Sequence, residues 1–206
     1  DEPYMQMGIG ALIKKRAGWL AVLIVLQMFT TSALQRFDSA LTALPILVLF
    51  IPLVMSGGGN SGSQATSLIT RAMALGEVKL SDWWRVALRE LPTGIILGVI
   101  LGSIAALRIV GGQWAFQQGW TLFGQPVGYD YAKDGAPWVL VATNVFVSLA
   151  GIVTFGSMAG SMLPFVLRKL GFDPASASAP FVATLVDVMG IVIYFSVAIL
   201  ILGNFM

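Results

Sequence analysis

The run Ala17-Gly-Trp-Leu-Ala-Val-Leu-Ile-Val-Leu-Gln-Met-Phe-Thr-Thr-Ser-Ala-Leu34 carries no charged residue, and Leu20 to Leu26 is unbroken apolar sequence. A bilayer-spanning helix needs about 20 mostly apolar residues, whereas spanning β-strands alternate over about 10. This run is continuous, so it reads as a membrane helix. Four more follow, at Leu41–Ile69, Leu91–Val110, Trp138–Leu167 and Pro180–Phe205. The fold class expected is all-α and integral to a membrane, multi-pass, with five transmembrane helices. The second and fourth stretches exceed one clean span and contain Gly and Pro, which predicts tilt, a kink or a break in each.

Composition agrees. Of 206 residues 57% are hydrophobic and 11% charged, and the mean hydropathy is +0.84. A soluble domain is roughly 45–50% apolar and about 25% charged. The chain has no Cys and no His. Disulfides, thiolate or imidazole metal sites, Cys nucleophiles and His-based triads are thereby excluded. A net charge of +2 gives no reason to expect nucleic acid as a partner. Membrane lipid is the expected surrounding.

Nine of the twelve basic residues (Lys14, Lys15, Arg16, Arg71, Lys79, Arg85, Arg89, Arg168 and Lys169) fall on one side of the predicted spans. By the positive-inside rule that side is cytoplasmic. Five crossings then put the N-terminus in the cytoplasm and the C-terminus outside the cell. Gly76–Glu90 is amphipathic, with Leu80, Trp84 and Leu88 between charged residues. It reads either as a helix on the membrane surface or as a continuation of the third span. Gly111–Pro137 is long, Gly-rich and aromatic, and is expected to form its own external cap. Gly94-x-x-x-Gly98-x-x-x-Gly102 and Gly156-x-x-x-Gly160 are small-residue faces for close helix packing.

Two places within the spans are polar enough to carry chemistry. Ser56-Gly-Gly-Gly-Asn-Ser-Gly-Ser-Gln64 contains G-x-G-x-x-G at Gly57, Gly59 and Gly62. A dinucleotide site would need a preceding strand, and a Walker A loop would need Lys where Gln64 stands. What remains is a Gly-rich weak point in a membrane helix. There, freed carbonyls with Asn60, Ser63, Gln64, Ser67 and Arg71 would face a water-filled path, or else the glycines form a packed hinge. The second place is Asp187, inside Pro180–Gly190, with no basic residue in its span. An ionisable group at that depth is a functional candidate by default; the alternative is a hydrogen bond to a neighbouring helix. Ala183, Thr184, Gly190 and Tyr194 lie on or beside its helical face. Oxygen donors without Cys or His suit hard cations such as Mg²⁺ or Ca²⁺. One carboxylate cannot neutralise a divalent ion, and a two-fold dimer would bring two copies of Asp187 together. Few direct ligands suit Mg²⁺, which keeps much of its water shell.

Three motifs in this order resemble the transmembrane domain of the MgtE family of magnesium transporters and channels. They are Gly58-Gly-Asn-Ser-Gly-Ser-Gln64 with Arg71-Ala72, then Leu163-Pro-Phe165 with Gly171-Phe-Asp-Pro-Ala175, then Pro180-Phe-Val-Ala-Thr-Leu-Val-Asp-Val-Met-Gly190. The resemblance covers nearly the whole chain. It implies a homodimer with five transmembrane helices per subunit, in the cell (inner) membrane, whose pore is lined by the second and fifth helices. Asp187 would hold hydrated Mg²⁺, which is both the transported ion and the one bound in the pore. Asn60 would line that pore, with Gly59, Ser63, Gln64, Ala183, Thr184 and Gly190 as its expected neighbours. Asp173 would help bind regulatory Mg²⁺ at the cytoplasmic mouth. Residues 1–16 would be the remnant of a cytoplasmic connector helix and residues 17–206 the pore domain, with the cytoplasmic regulatory domains absent here. Ala179 stands where some members carry Asn before the Pro of the fifth helix, and the loop over 111–137 is longer than the resemblance implies. The expected function is passage of Mg²⁺ down its electrochemical gradient, without enzymatic activity. The alternative is an ion-coupled secondary carrier using Asp187.

Overall fold

The computed structural model describes residues 7–206, apart from the side chains of Lys15, Asp134 and residues 176–178. Of the expected connector remnant, residues 1–6 lie outside the described residues, and residues from Ile9 onward are continuous with the first span. The elements are α1 (Ile9–Arg36), α2 (Asp38–Ala43), a 3-10 turn (Pro45–Phe50), α3 (Ile51–Ala74), α4 (Trp83–Gln117), β1 (Thr121–Leu122), β2 (Gln125–Pro126), α5 (Trp138–Lys169) and α6 (Pro174–Leu202). Five segments are long and apolar enough to cross a membrane: Ile9–Arg36, Pro45–Ala74, Leu80–Gln117, Trp138–Lys169 and Ala179–Phe205.

The centre of the bundle is α5, which packs against α4, α3 and α6; α3 also packs against α6, while α1 touches α6 from outside. The order in space is therefore not the order in the chain. Small residues set the contacts. A Cβ on Gly94, Gly98 or Gly102 of α4 would press on Thr154 and Ser157, on Ala150, or on Phe146 of α5. These glycines pack as the sequence predicts, because only a missing side chain allows the two backbones to approach so closely.

The Gly run of the second span behaves differently from its weak-point reading. Helix α3 is unbroken from Ile51 to Ala74, so no carbonyls are freed at Gly57-Gly58-Gly59. Its glycines answer those of α5: a Cβ on Gly156 or Gly160 would overlap the carbonyl oxygens of Gly58 and Gly62 respectively. Gly58 and Gly62 form the facing half of the Gly156–Gly160 contact. The break in this stretch comes earlier, at Leu44 (φ −131°, ψ 82°), just before Pro45. A proline disfavours helical backbone in the residue before it. The segment from Phe37 to Phe50 is tucked into the bundle, with Leu44, Ile46 and Leu47 fully buried. Phe37 stacks on Phe195 of α6 at 5.1 Å, and the Tyr194 hydroxyl donates to the Leu47 carbonyl at 2.9 Å.

Three spans carry an internal proline without breaking: Pro92, Pro164 and Pro180. A helical proline leaves the carbonyl four residues earlier without its usual donor. For Pro164 that carbonyl is Gly160, and the Thr66 hydroxyl of α3 donates to it at 2.9 Å. Beside it Ser61 bonds Ser157 at 2.8 Å and the Val153 carbonyl at 3.2 Å. The α3–α5 interface is thus close-packed, and around Pro164 the carbonyl freed by the proline is paired again, as a membrane interior favours.

Gly76–Glu90 resolves in favour of continuation. After a 3-10 turn at Leu80–Asp82, closed by the Lys79 amide donating to the Asp82 carboxylate at 2.9 Å, α4 starts at Trp83 and runs 35 residues without interruption. The surface-helix alternative is thereby set aside. The long loop after α4 folds into the β1–β2 hairpin and a 3-10 turn at Tyr131–Asp134 that packs on Pro45–Phe50.

Candidate functional site

Asp187 lies 13 residues into α6, about 20 Å along a helix about 43 Å long at 1.5 Å per residue. It is half-buried. Its Oδ2 accepts a hydrogen bond from the Gln27 side-chain amide of α1 at 3.2 Å. No basic side chain pairs with it among the described residues. An ionised carboxylate has about four acceptor positions, so one amide donor leaves most of its capacity to water or a cation. The cost of a charge at mid-bilayer, about 2.5–3.5 kcal/mol on insertion scales, is comparable to one hydrogen bond to a charged group, about 1.5–3 kcal/mol. Gln27 can hold this carboxylate in place. It cannot complete its coordination.

Helices α3 and α6 run antiparallel, with Met55 against Gly190, Gly58 against Val186 and Gly62 against Val182. Helical phase then puts Gly59 and Ser63 beside this contact on the side away from α5, and Ala183 and Asp187 beside it on the same side. The edge of the bundle between α3 and α6 is thus a groove bordered by small and polar side chains. Gly59 has open space at its Cβ position, so packing within the chain gives no reason for a glycine there. Asn60, Ser56 and Ser67 follow around the exposed face of α3. Asn60 donates to the Ser56 hydroxyl at 3.2 Å.

The other expected residues sit elsewhere. Gln64, with Asn60, lines a cleft of about 670 Å³ between α3, α4 and α5 that also takes in Arg108, Ile100 and Ile104. Thr184 is buried, its hydroxyl bonded to the Pro180 carbonyl at 3.1 Å, and it faces a small cavity with Leu26 and Phe29 of α1. Gly190 is buried under Met55. Tyr194 is spent on the Leu47 carbonyl in the core. These three turn toward neighbours within the chain because α6 is surrounded on three sides. Ala179 precedes Pro180 inside the continuous α6 and is half-buried.

Asp173 caps α6: its Oδ1 accepts from the Ala175 amide at 3.0 Å, with Pro174 at the first helical position. Asp followed by Pro is a strong helix start, so this exposed carboxylate has a structural task as well as any ionic one. Among the described residues no three carboxylates cluster as a metal site. Gln27 is the residue that reading the sequence passed over. Its signal was available, since it is the one amide in Ala17–Leu34, but its partner lies 160 positions away.

Comparison with known proteins agrees with this architecture. The family model MgtE, described as a divalent cation transporter, matches residues 51–197. The chain is 42% identical over 202 residues to the magnesium transporter MgtE of Thermus thermophilus, covering 98% of this chain and 40% of that protein. It is 32% identical over 184 residues to the magnesium transporter MgtE of Enterococcus faecalis and 30% identical over 184 residues to that of Bacillus subtilis, each time covering 89% of this chain and 36% of the relative. The chain thus spans well under half the length of the curated relatives it matches. With the match running from the start of α3 to the last turns of α6, the chain belongs to the MgtE family of divalent cation transporters, which are membrane proteins and not enzymes.

Proposed function

We propose that this chain conducts Mg²⁺ across the cell (inner) membrane, as a channel that lets the ion move down its electrochemical gradient along the axis of a homodimer. The observation that carries the reading is Asp187: a half-buried carboxylate in mid-span, which among the described residues has one neutral donor and no basic partner, at the α3–α6 edge of the bundle. A second copy facing that edge supplies a second carboxylate, which matches a divalent charge. Ala183, Gly59 and Ser63 leave width for an ion with its waters, while Asn60 stands next around α3, toward the α4 cleft. Mg²⁺ favours this arrangement because it dehydrates reluctantly and is bound by few carboxylates through retained water. Asp173 at the start of α6 would meet the ion at the cytoplasmic mouth, next to regulatory segments of a longer chain.

The test compares Mg²⁺ uptake into proteoliposomes for Asp187→Asn and Asp187→Glu at matched expression and size-exclusion profile. Asn keeps the shape and can still bond Gln27, but removes the charge. Glu keeps the charge and moves it by one methylene. Conduction requires Asn to lose most uptake and Glu to retain part of it, because a contact through water tolerates a small displacement. Asn transporting better than Glu ends the assignment. Uptake driven by an imposed pH or Na⁺ gradient in the absence of a Mg²⁺ gradient would instead establish a coupled carrier.

A further inference from the structure

Beyond α4 the chain makes a hairpin whose tip is apolar and unsupported. The turn between β1 and β2 is Phe123-Gly124, with φ of 50° and 77°. Two-residue hairpin turns of this hand favour Asn or Gly at both positions, because a side chain in the left-handed region is strained. Phe123 is instead a bulky aromatic and is 96% exposed, beside Leu122 at 61%. No charged residue occurs from Ile109 to Tyr129. A strained, uncovered phenyl ring on an uncharged hairpin calls for something to cover it.

The base of the hairpin shows what that is. Trp120 packs edge-on against Trp114 of α4 at 5.1 Å. The buried face of α4 is Gly94, Gly98, Gly102, Ala105, Ile109 and Gly112, of which the first three lie against α5 and Gly112 against Gly128 of the outer loop. Trp114 lies on the opposite face, in phase with the exposed Ile96 and Leu107. That stripe is the lipid-facing side of the span, and the hairpin hangs from its end. Trp114 is 24 residues beyond Glu90, the last charged group before the apolar run. At 1.5 Å per residue this is about 36 Å, roughly 6 Å past a hydrocarbon core about 30 Å thick. Trp at that level belongs to the interfacial aromatic belt.

We propose that the β1–β2 hairpin is a membrane anchor, lying in the headgroup–acyl boundary of the leaflet where α4 ends, with Phe123 and Leu122 immersed in lipid. The anchor fixes the depth of α4 and of the outer loop, which packs on Pro45–Phe50 over the end of the bundle. It does not depend on which ion the protein carries.

These 206 residues contain no cysteine, so single nitroxide labels can be placed on this chain in nanodiscs of phosphatidylethanolamine and phosphatidylglycerol. The labels go at Phe123→Cys and, as a reference on the same loop, at the exposed Lys133→Cys. Spin relaxation is read with oxygen, which concentrates in lipid, and with a water-soluble nickel chelate. The expected result is that oxygen dominates at position 123 and the chelate at position 133, so the ratio inverts between the two sites. Chelate-dominated relaxation at 123 would overturn the proposal by showing an aqueous tip. A label at 123 that is immobilised and shielded from both reagents would also overturn it, since a second copy of the chain would then cover the hairpin.

Discussion

The side-chain amide of Gln27 on α1 donates to Oδ2 of Asp187 on α6 at 3.2 Å. This bond fastens the outermost helix to the one carboxylate in the membrane interior of α6. Helix α1 has no fully buried residue across its apolar window, and among the described residues its main packing partner is α6. Any movement of α1 therefore acts directly on the candidate ion site.

Replacing Gln27 with Leu is expected to leave the carboxylate without its donor and to destabilise the protein by about 1–3 kcal/mol. In an Asp187→Ala background the same replacement should cost clearly less. Thermal unfolding in detergent for the four members of this cycle checks it; strictly additive effects would show that the two groups do not interact.

The glycines of α3 and α5 divide into two kinds. Gly160→Ala would drive a methyl group into the Gly62 carbonyl. Backbone cannot move aside as a side-chain tip can, so a loss at the upper end of about 1–3 kcal/mol or beyond is expected. Gly59→Ala meets nothing within the chain and gains helix propensity, worth about 0.5–1 kcal/mol. If ions pass along its face, Gly59→Ala should nevertheless reduce Mg²⁺ uptake. Parallel melting and flux measurements separate the two effects.

Thr66 and Pro164 are coupled through the Gly160 carbonyl, which Pro164 deprives of a donor and Thr66 supplies. Thr66→Val is expected to cost about 1–3 kcal/mol, because it leaves a buried acceptor unpaired. In a Pro164→Ala background, where the helix provides its own amide, the cost of Thr66→Val should fall markedly. Denaturation in detergent read by circular dichroism will show whether it does.

A homodimeric path requires that the chain, 21.9 kDa per subunit, run at twice that protein mass in detergent once bound detergent is subtracted. Multi-angle light scattering measures this. A single-subunit mass in a preparation that still passes Mg²⁺ would exclude an axis shared by two copies of Asp187.

Much of the fold was legible in the sequence because a bilayer imposes local conditions. A span must be apolar over about 20 residues and satisfy its backbone within itself, and both conditions can be read one segment at a time. The same locality exposes Asp187, since a charge at that depth is anomalous whatever surrounds it, and it exposes the Gly94–Gly98–Gly102 stripe. Sequence could not decide what the Gly57–Gly62 run does. A flexible break and a close-packed face use the same residue, and only the presence of Gly156 and Gly160 on the facing helix selects the second. Likewise Pro45 sets the break in the second stretch, but the burial of Leu44–Leu47 under Tyr194 depends on a helix some 150 residues later. The partner of Asp187 is of the same kind: Gln27 becomes its donor only because α1 docks on α6. Length and polarity belong to a segment alone, whereas the face a helix shows to its neighbours is fixed by contacts distant in the chain.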